Sequence, residues 1–340
     1  MSGSATAFTA ATVIREPHPH PHPHPHPHPH PHPIHDVTLE VPMGLTQQDI
    51  IRITLTGPAL VLTILGIIIS INLLQPSLTC TIIAFAPIPW IVYNDYHNFI
   101  SLGPGGTPST LFGYLRITYL RIFALSDPYS PPKLSDDISP TIGYIQRARP
   151  HLSTRNGPRP RVAGIAPQRQ ISQYGSRAMY NLLRISLNNL AHRQPDILKV
   201  GVSCFEKKGL ALFSLDPINT TCQGEICHVH HSDNSFHMNL HPSDAKVILE
   251  KGWGERHPMA GASTPRTISN VLSYLPKSLS TWLSPRVVPE QFCLIYAPRN
   301  KDELQVVCHI IEAAAFWVSG ELLTLPIESV SLVEESVTAA

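Results

Sequence analysis

Charge is scarce in this chain. Only 14% of its 340 residues are Asp, Glu, Lys or Arg, and 25 basic residues nearly cancel 24 acidic ones. No dense Lys/Arg face with interleaved aromatics occurs, so there is no electrostatic footprint for nucleic acid, and none is expected as a partner. Closely spaced cysteines of the C-x-x-C kind are missing too. The six cysteines (Cys80, Cys204, Cys222, Cys227, Cys293, Cys308) include no C-x-x-C spacing. The expectation is buried free thiols, which suits a cytosol-facing domain. Between Ile53 and Asn94 charge is absent altogether, with no Asp, Glu, Lys, Arg or His.

That uncharged stretch sets the first expectation. Ile53–Leu74 is long enough to span a bilayer, which takes about 20 apolar residues, and Leu60–Leu74 shows almost no polar stripe. A transmembrane helix is predicted there. Leu78–Tyr93 is a shorter apolar run with Pro87 and Pro89, readable as a second span or as an interfacial segment. Trp90, Tyr93 and Tyr96 suit a headgroup region. Tyr114–Leu125 mixes Leu, Ile and aromatics with two Arg, and reads as an interfacial helix. Basic residues from Arg116 to Arg161 crowd the C-terminal side, which the positive-inside rule assigns to the cytosol. The expected location is therefore a membrane, with the membrane as a partner and the folded domain on its cytosolic side.

Five segments follow. Residues 1–50 form a tail in which 17–33 alternate Pro and His; Pro at every second position blocks helix and sheet. Such a tail could bind zinc or copper weakly, but carries no fold. Residues 51–94 are the expected transmembrane region, and 95–165 an interfacial segment and linker. Residues 166–322 are the folded domain, and 323–340 a C-terminal tail. Within the folded domain, Ile171–Arg193 has apolar residues at helical spacing, and Ile197–Phe205 and Gly209–Leu215 read as strands. Gly224–His230 and Ser235–Leu240 read as a hairpin, Ser243–Lys251 as a short helix, and Phe292–Tyr296 as a strand. A last helix starts at Asn300, with Glu303 placed for a capping box, and stops at Gly320. The order of elements predicts an α+β fold, mainly an antiparallel sheet with flanking helices, preceded by the transmembrane region.

The chemistry concentrates between Glu225 and Gly261. Side chains alternate along a strand, so His228 and His230 share one face of the hairpin, as do His237 and Asn239 on the second strand. Phe236, Met238 and Leu240 take the other face. Two functions compete for the three imidazoles. One is a metal site, since H-x-H plus a later His can hold iron, zinc or copper on a sheet. The other is acid/base work, because a neutral imidazole accepts a proton near neutral pH. Downstream, Gly252-Trp253-Gly254-Glu255-Arg256-His257-Pro258 adds a tight turn, a cation and another imidazole. Tyr296 and Arg299 lie in a second motif, Tyr296-Ala297-Pro298-Arg299-Asn300. The candidate catalytic residues are His228, His230, His237, Arg256 and His257. The candidate substrate-binding residues are Trp253, Tyr296, Arg299 and Asn239. Plain core packing for Trp253 and Tyr296, and structural ion pairs for the two arginines, stay open beside these roles, as do a His-metal-dependent hydrolase or dioxygenase and a non-catalytic module that binds a small molecule or lipid.

Several of these motifs together carry a family resemblance. His228-Val229-His230, Phe236-His237, the run Glu250–Gly261 and Leu294–Asn300 resemble the fungal luciferases of the hispidin type. Asp95-Tyr96-His97-Asn98-Phe99 and Leu102-Gly103-Pro104-Gly105 extend the likeness upstream, so that it covers about residues 78–320. The resemblance implies a membrane-anchored oxygenase that adds O2 to a small enolic or pyrone-type molecule without a metal or organic cofactor. A His would take the enol proton, Arg charge would hold the anion, and the anion itself would reduce O2. The segment Ala262–Gln291 departs from the family's pattern. It is expected to form a lid that alters substrate choice, as in a non-luminous relative.

Overall fold

The computed structural model describes residues 56–327, apart from 75–84, 86, 136, 149–150, 263–269, 271 and 285–287. The His-Pro tail, Cys80 and residues 328–340 lie outside the described residues. A six-stranded antiparallel sheet organises the rest. Its strands are β3 (Leu198–Val202), β4 (Leu210–Ser214), β5 (Glu225–Val229), β6 (Phe236–Asn239), β7 (Gly254–Arg256) and β8 (Phe292–Ile295), in the order β3-β4-β5-β6-β8-β7. A separate hairpin pairs β1 (Val162–Gly164) with β2 (Gln168–Gln170).

One face of the sheet is apolar. Cys227, Val229, Phe236, Met238, Cys293 and Ile295 point into a single core cluster. Two helices cover them, α5 (Arg177–Arg193) and α8 (Lys301–Ser319). Leu304, Val307, Ile311 and Val318 lie along α8 at helical spacing, and from Ile310 to Ser319 the helix is buried on every side. Its start is fixed locally. The Glu303 N–H donates to Asn300 Oδ1 at 2.9 Å, and the Glu303 carboxylate accepts from the Arg299 N–H at 2.9 Å. Gly320, at φ 80°, ends the helix in the left-handed region where a Cβ is unfavourable. A short helix, α6 (Pro242–Glu250), follows β6.

The opposite face is covered by the N-terminal part of the chain. There α2 (Pro87–Ser101) and α3 (Leu111–Leu120) contribute Phe99, Tyr114, Ile117 and Leu120 to a second cluster with Ile165, Met259, Val288 and Phe292. The segment Tyr114–Leu125, read from sequence as interfacial, thus packs its inner side against the folded domain. Its far side exposes Leu115 and Ile122. The helix period identifies an amphipathic helix but not what lies beyond its outer face.

The transmembrane expectation is corrected. Among the described residues no helix is long and apolar enough to cross a membrane. The first apolar run forms α1 (Gly57–Leu74), whose 18 residues rise about 27 Å against a hydrocarbon core of ~30 Å. The second enters α2, where Asn94, Asp95, His97 and Asn98 break the run. Asp95 is fully buried there and holds Arg121 at 2.5 Å. The membrane partner, the membrane location and the cytosolic side inferred from these runs lose their basis with the span.

Cysteine pairing is corrected as well. Cys204 and Cys222 form a disulfide, their Cα atoms 6.1 Å apart, while Cys227, Cys293 and Cys308 are buried free thiols. The bridge joins the turn after β3 to the loop before β5. Spacing along the chain did not betray that proximity.

Candidate functional site

The β5–β6 register sets His228 directly opposite His237, with Cys227 opposite Met238 on the other face. His230 follows His228 by two residues and shares its side. All three imidazoles are buried, at 1%, 1% and 4% exposure. They converge closely: His237 Nδ1 lies 2.9 Å from His230 Nε2 and 3.2 Å from His228 Nε2. The polar side of the hairpin is therefore not a solvent face. It is a closed cluster pressed under β2 and the second apolar core.

Each outward ring nitrogen has its own partner. His228 Nδ1 meets Glu225 Oε1 at 2.6 Å. Glu225 also accepts from the Ser203 hydroxyl at 2.9 Å and the Cys204 N–H at 2.7 Å. His230 Nδ1 meets Ser235 Oγ at 2.8 Å, and the Ser235 hydroxyl donates to Asp233 Oδ2 at 2.6 Å. His237 Nε2 meets Gln168 Oε1 at 2.8 Å, and the Gln168 amide donates to Glu255 Oε1 at 3.0 Å. Burial drives the His230 and His237 imidazoles well below their ordinary pKa, helped by the Arg169 charge and by the neighbouring rings. Both are neutral at physiological pH.

Glu225 reaches His228 because of a bulge. Leu212 pairs with Cys227, but Phe213 pairs with Glu225, so Ile226 is an extra residue in β5. Ala211, opposite His228, and Phe213, opposite Glu225, lie two apart and share a face. Their partners do too, although three positions separate them in sequence. Strict alternation would have put Glu225 on the far face.

His257 stands at the rim, its ring 5.4 Å from that of His237. Both its nitrogens are engaged: Nε2–H donates to the Ile165 carbonyl at 2.9 Å, and Nδ1 accepts from the Met259 N–H at 3.1 Å. Burial lowers its pKa to about 4. The other sequence candidates lie in different surroundings. Arg256 donates to the Glu290 carbonyl at 2.7 Å and to Ser130, tying two loops together. Arg299 pairs with Glu303 and donates to the Asn156 carbonyl at 2.7 Å. The Trp253 indole N–H donates to the Ser153 carbonyl at 2.6 Å. The Tyr296 hydroxyl donates to Glu255 Oε2 at 3.2 Å, and burial raises the Glu255 pKa to about 7. Asn239 donates to Thr221 Oγ1 at 2.9 Å.

A cavity of about 320 Å³ opens beside the cluster. His228, His237 and His257 form one end. Phe112, Leu120, Met259, Val288 and Phe292 supply apolar walls, with Arg116 and Lys207 among the lining residues. Phe292 stacks on His237, the planes 10° apart and the centroids 5.3 Å apart. Trp282, from α7 (Lys277–Leu283), also lines it. The segment 262–291 therefore contributes to the wall. Arg256, Arg299, Trp253, Tyr296 and Asn239 are not among the lining residues. Sequence reading missed Gln168, Glu225, Asp233 and Lys207. The first comes from a strand about seventy residues before His237, and the second depends on the bulge.

Comparison with known proteins agrees with this picture. Residues 223–314 match the luciferase domain family. A luciferase of Armillaria mellea is 30% identical over 263 residues, covering 72% of this chain and 89% of that protein. A luciferase of Neonothopanus nambi is 27% identical over 262 residues, covering 72% and 88%. No solved structure matches the chain.

Proposed function

The chain belongs to the luciferase family represented by these fungal proteins, and from that premise we propose that it is an oxygenase combining O2 with a small enolic or pyrone-type molecule. The observation that carries the reading is the cavity: about 320 Å³, largely apolar, with imidazoles at one end, His237 among them held neutral by burial. That volume suits one or two rings rather than a macromolecule. The enol oxygen faces the His228 and His237 end of the cavity and loses its proton there. Lys207 and Arg116 supply positive charge to the resulting anion. This role passes to them from Arg256 and Arg299, whose guanidinium groups hold loops. An electron pair of the enolate forms the new carbon–oxygen bond, and O2 is reduced to the peroxide level without an external reductant. Apolar walls keep water from that peroxide. Trp282 and α7 narrow the cavity, and so select the substrate.

The test is oxygen uptake with product mass, on the full chain, against a panel of hydroxypyrones that includes 3-hydroxyhispidin. Uptake of one O2 per product, with or without loss of CO2, is expected for at least one compound. Tight binding of a pyrone with no oxygen consumption would replace the oxygenase by a binding module.

A further inference from the structure

Hydrogen-bond accounting in the imidazole cluster leads further than its proximity to the cavity. Glu225 already accepts from Ser203 and Cys204, so it is an acceptor for His228, and the His228 proton sits on Nδ1. Ser235 gives its own hydrogen to Asp233, so its oxygen accepts, and the His230 proton also sits on Nδ1. The Gln168 amide nitrogen is committed to Glu255, so its oxygen faces His237, whose proton sits on Nε2. The reverse orientation of Gln168 would set its oxygen against the Glu255 carboxylate. The nitrogens left over are His228 Nε2, His230 Nε2 and His237 Nδ1. These are the three that face one another, all within 4.8 Å. Three lone pairs converge with no hydrogen between them. Such an arrangement offers a seat for a positive centre.

We infer that His228, His230 and His237 hold a divalent first-row transition metal ion, with open coordination positions toward the cavity. The separations fit. Metal–nitrogen bonds of about 2.0–2.1 Å place ligand atoms ~2.9 Å apart at a right angle and ~3.3 Å apart at a tetrahedral angle. The observed values are 2.9 and 3.2 Å. The outer shell fits as well. Each ligand imidazole is backed by a buried carboxylate: Glu225 directly, Asp233 through Ser235, and Glu255 through Gln168. Metal-bound histidines characteristically give their second N–H to such groups, which fix the tautomer and strengthen the ligand. Three neutral nitrogens suit zinc, iron, copper or nickel rather than calcium or magnesium. Metal binding does not depend on the oxygenase reading. It rests on that reading only in naming the enol oxygen as the group that would meet the ion.

Cobalt(II) tests this, because low-coordinate cobalt absorbs visibly where hexaaqua cobalt hardly does. The protein is the full chain with every tail histidine from His18 to His35 replaced by asparagine, so that the tail contributes no sites. About one cobalt per chain is expected, with an intense visible band. His237→Ala should abolish the band. Glu225→Gln, which leaves all three ligands in place, should weaken binding about 10- to 100-fold. Circular dichroism checks that both variants are folded, and Glu225→Gln decides the matter if His237→Ala is not. Absence of the band, or a band indifferent to both substitutions, overturns the site. The two proposals fail separately. Cobalt binding without oxygen uptake keeps the metal and removes the oxygenase; uptake by chelated, metal-free protein does the reverse.

Discussion

The two faces of the six-stranded sheet are both buried, yet they are held by different physics. On one, Val229, Phe236, Met238 and Ile295 meet the apolar stripes of α5 and α8, and contact area is what matters. On the other, His228, His230 and His237 sit among Glu225, Ser235 and Gln168, and what matters is that each polar atom has the right partner. The first face tolerates any side chain of the right size. The second tolerates almost none, because one lost partner leaves a buried donor or acceptor exposed to nothing. Apolar packing and polar pairing are thus divided across the thickness of a single sheet.

The largest effect that would sharpen this division is on the apolar face. Ile311→Ala should destabilise the fold by about 2–5 kcal/mol in urea denaturation while leaving oxygen uptake per folded molecule unchanged. A large loss of turnover with little loss of stability would mean that the two faces are not separable.

A change of pH probes the other face. The His257 pKa is lowered to about 4 from 6.5. A depressed imidazole pKa means that the unfolded chain takes up protons first, so stability is present above pH 6.5 and is lost as pH falls toward 4. Comparing wild type with His257→Gln isolates this group from the buried carboxylates nearby. The stability difference should shift against wild type by about 3 kcal/mol between pH 7 and pH 4. The groups facing His257 are the Ile165 carbonyl, the Met259 N–H and the rings of His237 and Phe292. A constant difference across that range would show the imidazole to be solvated.

The smallest effect is expected at Arg299, which sits at the mouth of α8 with its side chain 33% exposed. Arg299→Ala should cost about 0.5–1 kcal/mol after solvent screening, with turnover unchanged. A collapse of turnover there would extend the chemical face beyond the cavity.

Much of this was legible in the sequence where one period governs. The alternation of β5 and β6 predicted which residues join the imidazole face. Asn300, Glu303 and Gly320 marked both ends of α8. The rest was hidden for separate reasons. The uncharged run from Ile53 promised a bilayer span, but apolar composition alone does not fix helix length, and polar residues return inside α2. Arg256 and Arg299 stand within the same motifs as the histidines, yet their guanidinium groups serve backbone carbonyls and Glu303. Gln168 becomes a neighbour of His237 only after the β1–β2 hairpin folds over the sheet.

The extra residue at Ile226 has a consequence of a different kind. Every substitution considered so far changes what a position is made of. Removing Ile226 would change only how many positions there are. The ladder between β4 and β5 would close with Glu225 still opposite Phe213 and now two residues from His228, so the pair would stay on one face. For His228, then, the partner across the ladder, not the count along its own strand, decides where its carboxylate lies. A one-codon deletion there would remove the buried Ile226 side chain and spare the contact.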